Sequence, residues 1–379
     1  MPCSALASRP ASDLPASEFQ ARVKRLLARQ KRQRLDAVLL LTEMNRYYFT
    51  GLRTTNGMLV TEPSKAPAFY TDFRYLTMSR RLAPWLPCHS IRRPADEPSV
   101  LAGLGAGWRR IGYEGHMDAA RFLRLKAALP DAEWVDASVM LSELRAVKSR
   151  AEQRLMRAAL AANDRLFASL MRQVKPGMSE WEIRGIARRE ADLLGQGEAF
   201  DTIACVGRNG AECHHTPDGT VLKHGQPLLV DLGLKLDHYC ADLTRCVSFG
   251  TPAPLYRKLH AIVLAANRKA IRAIRPGVPC RAIDAVARKH IAKAGYGAYF
   301  GHSLGHGLGL EVHEPPSFSP TCETLLEPGM VITVEPGIYL PGKLGIRIED
   351  VVLVTRTGCE VLTHAPRTFC PRAHKENLP

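Results

Sequence analysis

The chain has 379 residues, 46% hydrophobic and 23% charged, with a formal net charge of +15. That length is enough for two domains, each with its own core. No run of about 18 apolar residues occurs, which excludes a membrane-spanning helix.

The opening stretch MPCSALASRPASDLPASEF lacks the apolar segment of a secretory signal, so residues 1–17 are expected to form a flexible tail. The ten cysteines form no CxxC pair and show no zinc-finger spacing. They are expected to be reduced thiols, which places the protein in the cytoplasm. Basic residues outnumber acidic ones most strongly in the first 150 positions. The densest patch, KRQRLDA (31–37), continues an amphipathic helix and has no aromatic stacking platform beside it. It is expected to be a solvated surface, with neither nucleic acid nor membrane as partner.

In chain order, residues 18–34 carry helical periodicity and DAVLLL (36–41) reads as a buried strand. NRYYFTGL (45–52) and GMLVTE (57–62) flank a turn at Asn56-Gly57. APAFYTD (66–72) predicts a strand, and a helix follows over 75–82. HSIRR (89–93), RIGYEG (110–115) and AEWVDAS (132–138) complete an alternating pattern. Residues 18–141 are therefore expected to be a small α/β domain with a mixed or parallel sheet. A second domain over 142–379 opens with a long helix (142–174) that Lys175-Pro176-Gly177 ends. The next helix, 179–195, begins with a capping box of Ser179 and Glu182. Helices near 253–275 and 280–294 follow. The order is helix pair, hairpin, helix pair, hairpin, which predicts internal two-fold similarity.

The chemistry concentrates in the two hairpins. LLVDLGLKLDHYCADLTRC (228–246) sets Asp231 and Asp242 on neighbouring strands, and MVITVEPGIYLPGKLGIRIEDVVLV (330–354) does the same for Glu335 and Glu349. Carboxylates inside apolar strands are costly unless paired or bound to metal, and gathering them raises the cost by like-charge repulsion. His306 lies in a glycine-rich strand, GHGLGL, where small neighbours let the backbone approach a ligand. Asp231, Asp242, His306, Glu335 and Glu349 suit two divalent ions about 3.5 Å apart, bridging a water that they activate. Oxygen ligands plus one imidazole favour Mn²⁺, with Co²⁺, Fe²⁺ or Zn²⁺ as alternatives.

His302, His313 and His214 (with His215 as the alternative in register) are candidates to donate to a developing oxyanion or to carry a proton to the leaving amine. His313 is expected to share or continue the strand of His306. Arg347, two residues before Glu349, is expected on the same strand face, to orient that glutamate or bind a substrate carboxylate. Asp350 faces away and is assigned a structural role. Cys240 is expected on the strand face of Asp242, as a packing residue. The adjacent Cys213, His214 and His215 are not expected to converge on one ion.

These motifs resemble the pita-bread metallopeptidases, in the aminopeptidase P, prolidase and creatinase branch. VDLG and ADLTR eight residues apart, GHGLGLEVHE, VEPGIY and GIRIED carry the resemblance, with NRYYFTGL and YTDFRY in the first half. It implies an α/β creatinase-like N-terminal domain, an α+β pita-bread catalytic domain and all five residues above as metal ligands. It also implies substrate or oxyanion contacts for His214 and His313, and proton transfer by Glu335. Tyr339 and Arg347 would border the substrate behind the ligands.

The implied activity is metal-dependent hydrolysis of the bond between any residue and a following proline, in a homodimer. A prolidase takes the dipeptide and needs a cation for its carboxylate. The loop PPSFSPTCETLLEPG has no Arg or Lys, so an Xaa-Pro aminopeptidase acting on longer peptides is expected and a prolidase is the alternative. A peptide- or nucleic-acid-binding module without catalysis is the third reading. His215 stands where the family often has glycine.

Overall fold

The computed structural model describes residues 14–368. The expected tail lies outside the described residues up to position 13, and a helix already starts at Ala16. Two compact units divide at Arg145 and Ala146.

The first unit runs α1 (Ala16–Arg32), β1 (Ala37–Leu40), α2 (Glu43–Thr50), β2 (Met58–Thr61), β3 (Ala68–Thr71), α3 (Phe73–Leu82), β4 (Cys88–Ser90), α4 (Glu97–Leu104), β5 (Arg110–Tyr113), α5 (Ala119–Ala128) and β6 (Glu133–Asp136). Helix α6 (Ser138–Ala146) follows. Its one mixed sheet has the order β4-β3-β2-β1-β5-β6. Leu39, Leu41, Met58, Val60, Leu101 and Ile111 form a core cluster of this unit. Thr42 caps α2 by accepting from the Asn45 amide, and Asp72 caps α3 in the same way from Arg74.

The long helix expected over 142–174 is two helices. The chain breaks at Val147–Ser149, and α7 (Arg150–Gln173) starts with its own capping box of Ser149 and Glu152. Val147 pairs with Met330 as an isolated bridge, and Lys148 N–H donates to Gly329 O. Continuing the helix would forfeit those bonds.

The second unit then repeats a theme. Helices α7 and α8 (Glu180–Leu194) precede β7 (Ile203–Val206), β8 (Pro227–Leu232), β9 (Lys235–Leu236), β10 (Tyr239–Cys240) and β11 (Leu243–Ser248). Helices α9 (Pro254–Ala273) and α10 (Cys280–Lys293) precede β12 (Gly305–Gly307), β13 (Glu314–Phe318), β14 (Val331–Val334), β15 (Gly337–Leu340), β16 (Leu344–Arg347), β17 (Asp350–Val354) and β18 (Cys359–Val361). Gly177 N–H donates to Leu222 O after α7, and Gly277 N–H donates to Leu326 O after α9. Both glycines have positive φ, 97° and 81°, a conformation glycine adopts without strain in the turn three residues beyond each helix cap.

Each hairpin is interrupted. In the first, the β8–β11 ladder stops at Leu232–Leu243 and a short β9–β10 ladder carries the turn. Asp237 and His238 form that turn with φ of 48° and 69°, the geometry of a tight type I′ hairpin built without glycine. In the second, the β14–β17 ladder stops at Val334–Asp350 and a β15–β16 ladder takes over. The interruptions matter because four of the five candidate ligands lie at or next to them.

Candidate metal centre

Asp231 is the penultimate residue of the central strand β8, opposite Thr244 on β11 and Ile203 on β7. Asp242 sits in the first interruption, just before β11. Residues 242 and 244 share a strand face, so Asp242, Thr244 and Asp231 gather on one side. At the same interruption, a Cβ on Gly233 would lie 2.1 Å from Ala241 O; only glycine fits there. Glu335 and Glu349 occupy the second interruption, immediately beyond the Val334–Asp350 pair. Glu349 N–H donates to Thr244 O at 3.2 Å, which joins the two hairpins at the site.

His306 is the middle residue of β12. A Cβ on Gly305 would lie 2.0 Å from Thr333 O, and one on Gly307 would lie 2.6 Å from Glu314 O. The glycines therefore permit the close backbone approach that places the imidazole. Its Nδ1 faces Gly307 O at 3.1 Å, so Nε2 points at Glu335 Oε1 (3.2 Å) and Asp242 Oδ2 (3.7 Å).

These five side chains line one cavity of about 640 Å³ together with His214, His302, His313 and Arg347. Ligand atoms of Asp242, His306 and Glu349 lie within 4.8 Å of one another. Asp231 Oδ1 and Glu349 Oε1 are buried with no hydrogen-bond partner. A buried carboxylate oxygen without a partner costs about 1–3 kcal/mol or more unless a cation is provided. Burial, then the carboxylates of Glu349, Asp231 and Glu335, push the Asp242 pKa well above its usual range. Glu349 is likewise pushed up to about 8 by burial, Glu335 and Asp231. For Glu335 burial also raises the pKa, but the His306 hydrogen bond and charge outweigh it and the net shift is downward. His306 is correspondingly raised to about 9, although burial opposes it. One imidazole and one guanidinium do not balance four carboxylates, and the nearest carboxylate takes the imidazole. The donor set and the orphaned oxygens fit divalent cations, which would replace the His306 proton.

Arg347 departs from expectation. Its Nη2 donates to Asp231 Oδ2 at 2.6 Å, and its Nε to Thr244 Oγ1 at 3.0 Å. Thr244 in turn donates to Glu349 Oε2 at 2.8 Å. Arg347 thus orients Asp231 directly and reaches Glu349 only through Thr244, because the interruption of the ladder separates residues 347 and 349. Arg347 Nη1 also donates to Tyr339 OH, 2.9 Å away, and Tyr339 meets His302 Nε2 at 2.9 Å.

Three residues that sequence reasoning passed over belong to this network. Thr244 and Thr333 each lie two positions from a carboxylate on the same strand face, the signal that marks them. Thr333 Oγ1 donates to Glu335 Oε1 at 3.2 Å. The third, Asn163 on α7, bonds Leu232 O and Leu234 N–H on either side of Gly233.

His313 neither shares nor continues the strand of His306. Strand β12 ends at Gly307 and the chain turns before returning as β13. That turn brings the two rings to a centroid distance of 4.3 Å. His214 is exposed at the cavity wall. Cys213, His214 and His215 diverge, since Cys213 O accepts from Arg347 while His215 Nε2 turns to Glu180 at 2.9 Å. Cys240 lies on β10, in the separate short ladder, and its buried thiol faces Leu310 O at 3.4 Å. Asp350 points away into a structural cluster with Arg245, Arg367 and Thr363.

A two-unit chain with a carboxylate-rich, single-imidazole centre between paired hairpins defines the pita-bread class of metal-dependent hydrolases. Residues 154–356 match Metallopeptidase family M24, and residues 22–147 match the Creatinase/Prolidase N-terminal domain. The chain belongs to the M24 metallopeptidases.

It is 34% identical over 337 residues to an uncharacterized peptidase of Bacillus subtilis (strain 168), covering 88% of this chain and 95% of that protein. An X-Pro aminopeptidase of Thermotoga maritima MSB8 superposes with a TM-score of 0.82 at 33% identity, over 90% of this chain and 99% of the other. A Xaa-Pro dipeptidase of Bacillus anthracis superposes with a TM-score of 0.88 at 32% identity, over 93% and 99%. Among the described residues, no helix is long and apolar enough to cross a membrane.

Proposed function

We propose that the protein is a cytoplasmic Xaa-Pro aminopeptidase, cleaving the bond between an N-terminal residue and a following proline in peptides longer than two residues. The observation that carries this is the cavity in which Asp231, Asp242, His306, Glu335 and Glu349 converge with two orphaned carboxylate oxygens. Two divalent ions held there, Mn²⁺ foremost and Co²⁺, Fe²⁺ or Zn²⁺ as alternatives, would supply an activated water and polarise the substrate carbonyl.

The chain's own groups do the remaining work. Glu335 takes the proton released from water and returns it to the leaving proline nitrogen. His313 and His214 at the cavity wall donate to the substrate carbonyl as negative charge develops. His302, fixed between Ser303 O (2.7 Å) and Tyr339 OH (2.9 Å), supports proton delivery on the leaving-group side. Burial pushes the His302 and His313 pKa values down, so both rings are neutral near pH 7. His313 keeps one N–H to donate, whereas the single N–H of His302 goes to Ser303 O and its Nε2 accepts from Tyr339 OH.

The preference for longer peptides rests on the cavity's cations. Arg347 is committed to Asp231, and the loop 315–329 brings no basic residue. Arg184 also lines the cavity but pairs with Asp201 at 2.6 Å. That guanidinium supports the second reading, a prolidase in which Arg184 exchanges Asp201 for the dipeptide carboxylate.

The test is hydrolysis by metal-stripped protein, with and without Mn²⁺, of a Xaa-Pro dipeptide beside a Xaa-Pro-Xaa tripeptide. Mn²⁺-dependent cleavage chiefly of the tripeptide is expected. Preference for the dipeptide, lost in Arg184→Ala, establishes the prolidase instead. No cleavage of either by metal-loaded protein removes the proline specificity.

A further inference from the structure

His214 sits on a stretch between β7 and β8 that belongs to neither strand. Two anchors hold it, one on each side. On one side Cys213 O accepts from Arg347, which is itself bonded to Asp231. On the other, His215 reaches the carboxylate of Glu180 at the start of α8.

Glu180 is fully buried and serves four donors. Its Oε1 accepts from Val206 N–H (2.6 Å) and Asn209 Nδ2 (3.0 Å); its Oε2 faces Asp218 N–H (2.9 Å) and His215 Nε2 (2.9 Å). These contacts knit residues 206–218 onto one helix end, where a carboxylate also suits the helix dipole. His215 Nδ1 faces Glu212 Oε2 at 3.3 Å. Both ring nitrogens therefore face carboxylates, and the ring is only 11% exposed. Burial alone would lower the pKa of this imidazole; hydrogen bonds to Glu180 and Glu212 outweigh it and the net shift is upward. Glu180, His215 and Asp218 come within 4.8 Å of one another, but Glu180 already serves four donors, so the cluster is a hydrogen-bonded clamp and not a second metal site.

The other half of the unit has a comparable device. Asp284 and Arg288 on α10 form an ion pair, and they bond Leu304 N–H, Phe300 O and His302 O. The segment carrying His302 is thereby fixed to the second helix of its pair, as the segment carrying His214 is fixed to α8.

We infer that His215 is a positioning residue, setting the place of His214 in the cavity through its bond to buried Glu180. The kinetic consequence rests on the Xaa-Pro activity proposed above; the structural consequence does not. Displacing a substrate-contacting side chain by a fraction of an ångström to 1 Å costs up to about a hundredfold in rate.

The experiment compares Mn²⁺-loaded wild type, His215→Ala, His215→Gln, His214→Ala and the double alanine variant on a Xaa-Pro-Xaa tripeptide. His215→Ala is expected to lower kcat/KM about tenfold. His215→Gln, which keeps a donor for Glu180, should recover most of it. In the His214→Ala background the His215→Ala change should cost nothing further, because the residue it positions is gone. Amide hydrogen exchange is followed in parallel without substrate. Residues 209–218 should exchange about tenfold faster in His215→Ala and stay unchanged in His214→Ala. Full, additive losses in the double variant overturn the inference, as does wild-type kinetics with wild-type exchange in His215→Ala. If wild type cleaves no Xaa-Pro peptide, the proposed activity falls, and the exchange of residues 209–218 alone decides whether His215 holds the loop.

Discussion

On α7, Asn163 Nδ2 donates to Leu232 O at 3.2 Å while its Oδ1 accepts from Leu234 N–H at 3.2 Å. On α9, Asn267 Nδ2 donates to Val334 O at 2.9 Å and to Ile348 O at 3.4 Å, and its Oδ1 has no partner. Each asparagine reaches across from the first helix of a pair to the interruption in the facing hairpin, beside a candidate ligand. The first half thus presents two aspartates on short side chains and the loop histidine His214, whose neighbour His215 is held by Glu180. The second presents two glutamates, the imidazole of β12, and Arg347. A repeated scaffold places backbone breaks at equivalent positions, and the local sequence then decides which donor fills each break. The halves differ in how fully their polar groups are satisfied, and that difference can be measured.

The largest effect is expected at the interruptions themselves. Asp242→Ala and Glu335→Ala, one from each half, should remove turnover and reduce the bound metal while leaving the fold intact; retained turnover in either would reject the site. Asp242→Asn should also raise the melting temperature of metal-stripped protein, since one of four crowded carboxylates is neutralised. A gain of about 1 kcal/mol reads as about 2–4 °C in a unit of this size.

Next in size is the tie across the halves. Lys148 Nζ meets Glu314 Oε2 at 3.0 Å, with side chains 1% and 3% exposed. Lys148→Ala breaks this buried pair and should cost about 3–5 kcal/mol by denaturant unfolding. A cost below about 1 kcal/mol would mean that water reaches Glu314.

The asparagines compare the halves directly. Asn163→Ala strands both Leu232 O and Leu234 N–H and should cost about 2–3 kcal/mol, whereas Asn267→Ala relieves an unpaired oxygen and should cost about 1–2 kcal/mol. Equal costs would show that the two scaffolds are energetically equivalent despite their different bonding.

The smallest effect near neutral pH comes from His260 on α9, whose counterpart on α7, by the spacing of the two asparagines, is the apolar Met156. Burial lowers the His260 pKa from 6.5 to about 4. Above pH 6.5 both folded and unfolded states hold it neutral, and it makes no pH-dependent contribution. As pH falls towards 4 the unfolded chain takes up the proton and the folded one does not, so stability drops by on the order of 3 kcal/mol. Unfolding free energies measured between pH 7 and pH 4 should show this slope in wild type and a shallower one in His260→Gln; parallel slopes would place the acid sensitivity elsewhere.

Much of this was legible locally. Asp231, Asp242, Glu335 and Glu349 stand out because a carboxylate in an apolar strand violates its surroundings within a few residues. The capping box of Ser179 and Glu182 was readable for the same reason. An identical signal at Ser149 and Glu152 marks the start of α7, and it went unused because helical periodicity runs through the break.

What the sequence by itself determined is therefore the set of candidate donors, the two-unit division and the alternation of helix pairs with hairpins, all of which follow from short-range periodicity and charge. Tertiary structure alone decided the partners. Arg347 finds Asp231 across 116 positions and not Glu349 two positions away; His313 reaches His306 around a turn; His215 lines the same cavity as His214 but takes Glu180 as its partner. A hydrogen bond depends on a few ångströms of geometry, and strand interruptions and turns set that geometry without leaving a periodic trace along the chain.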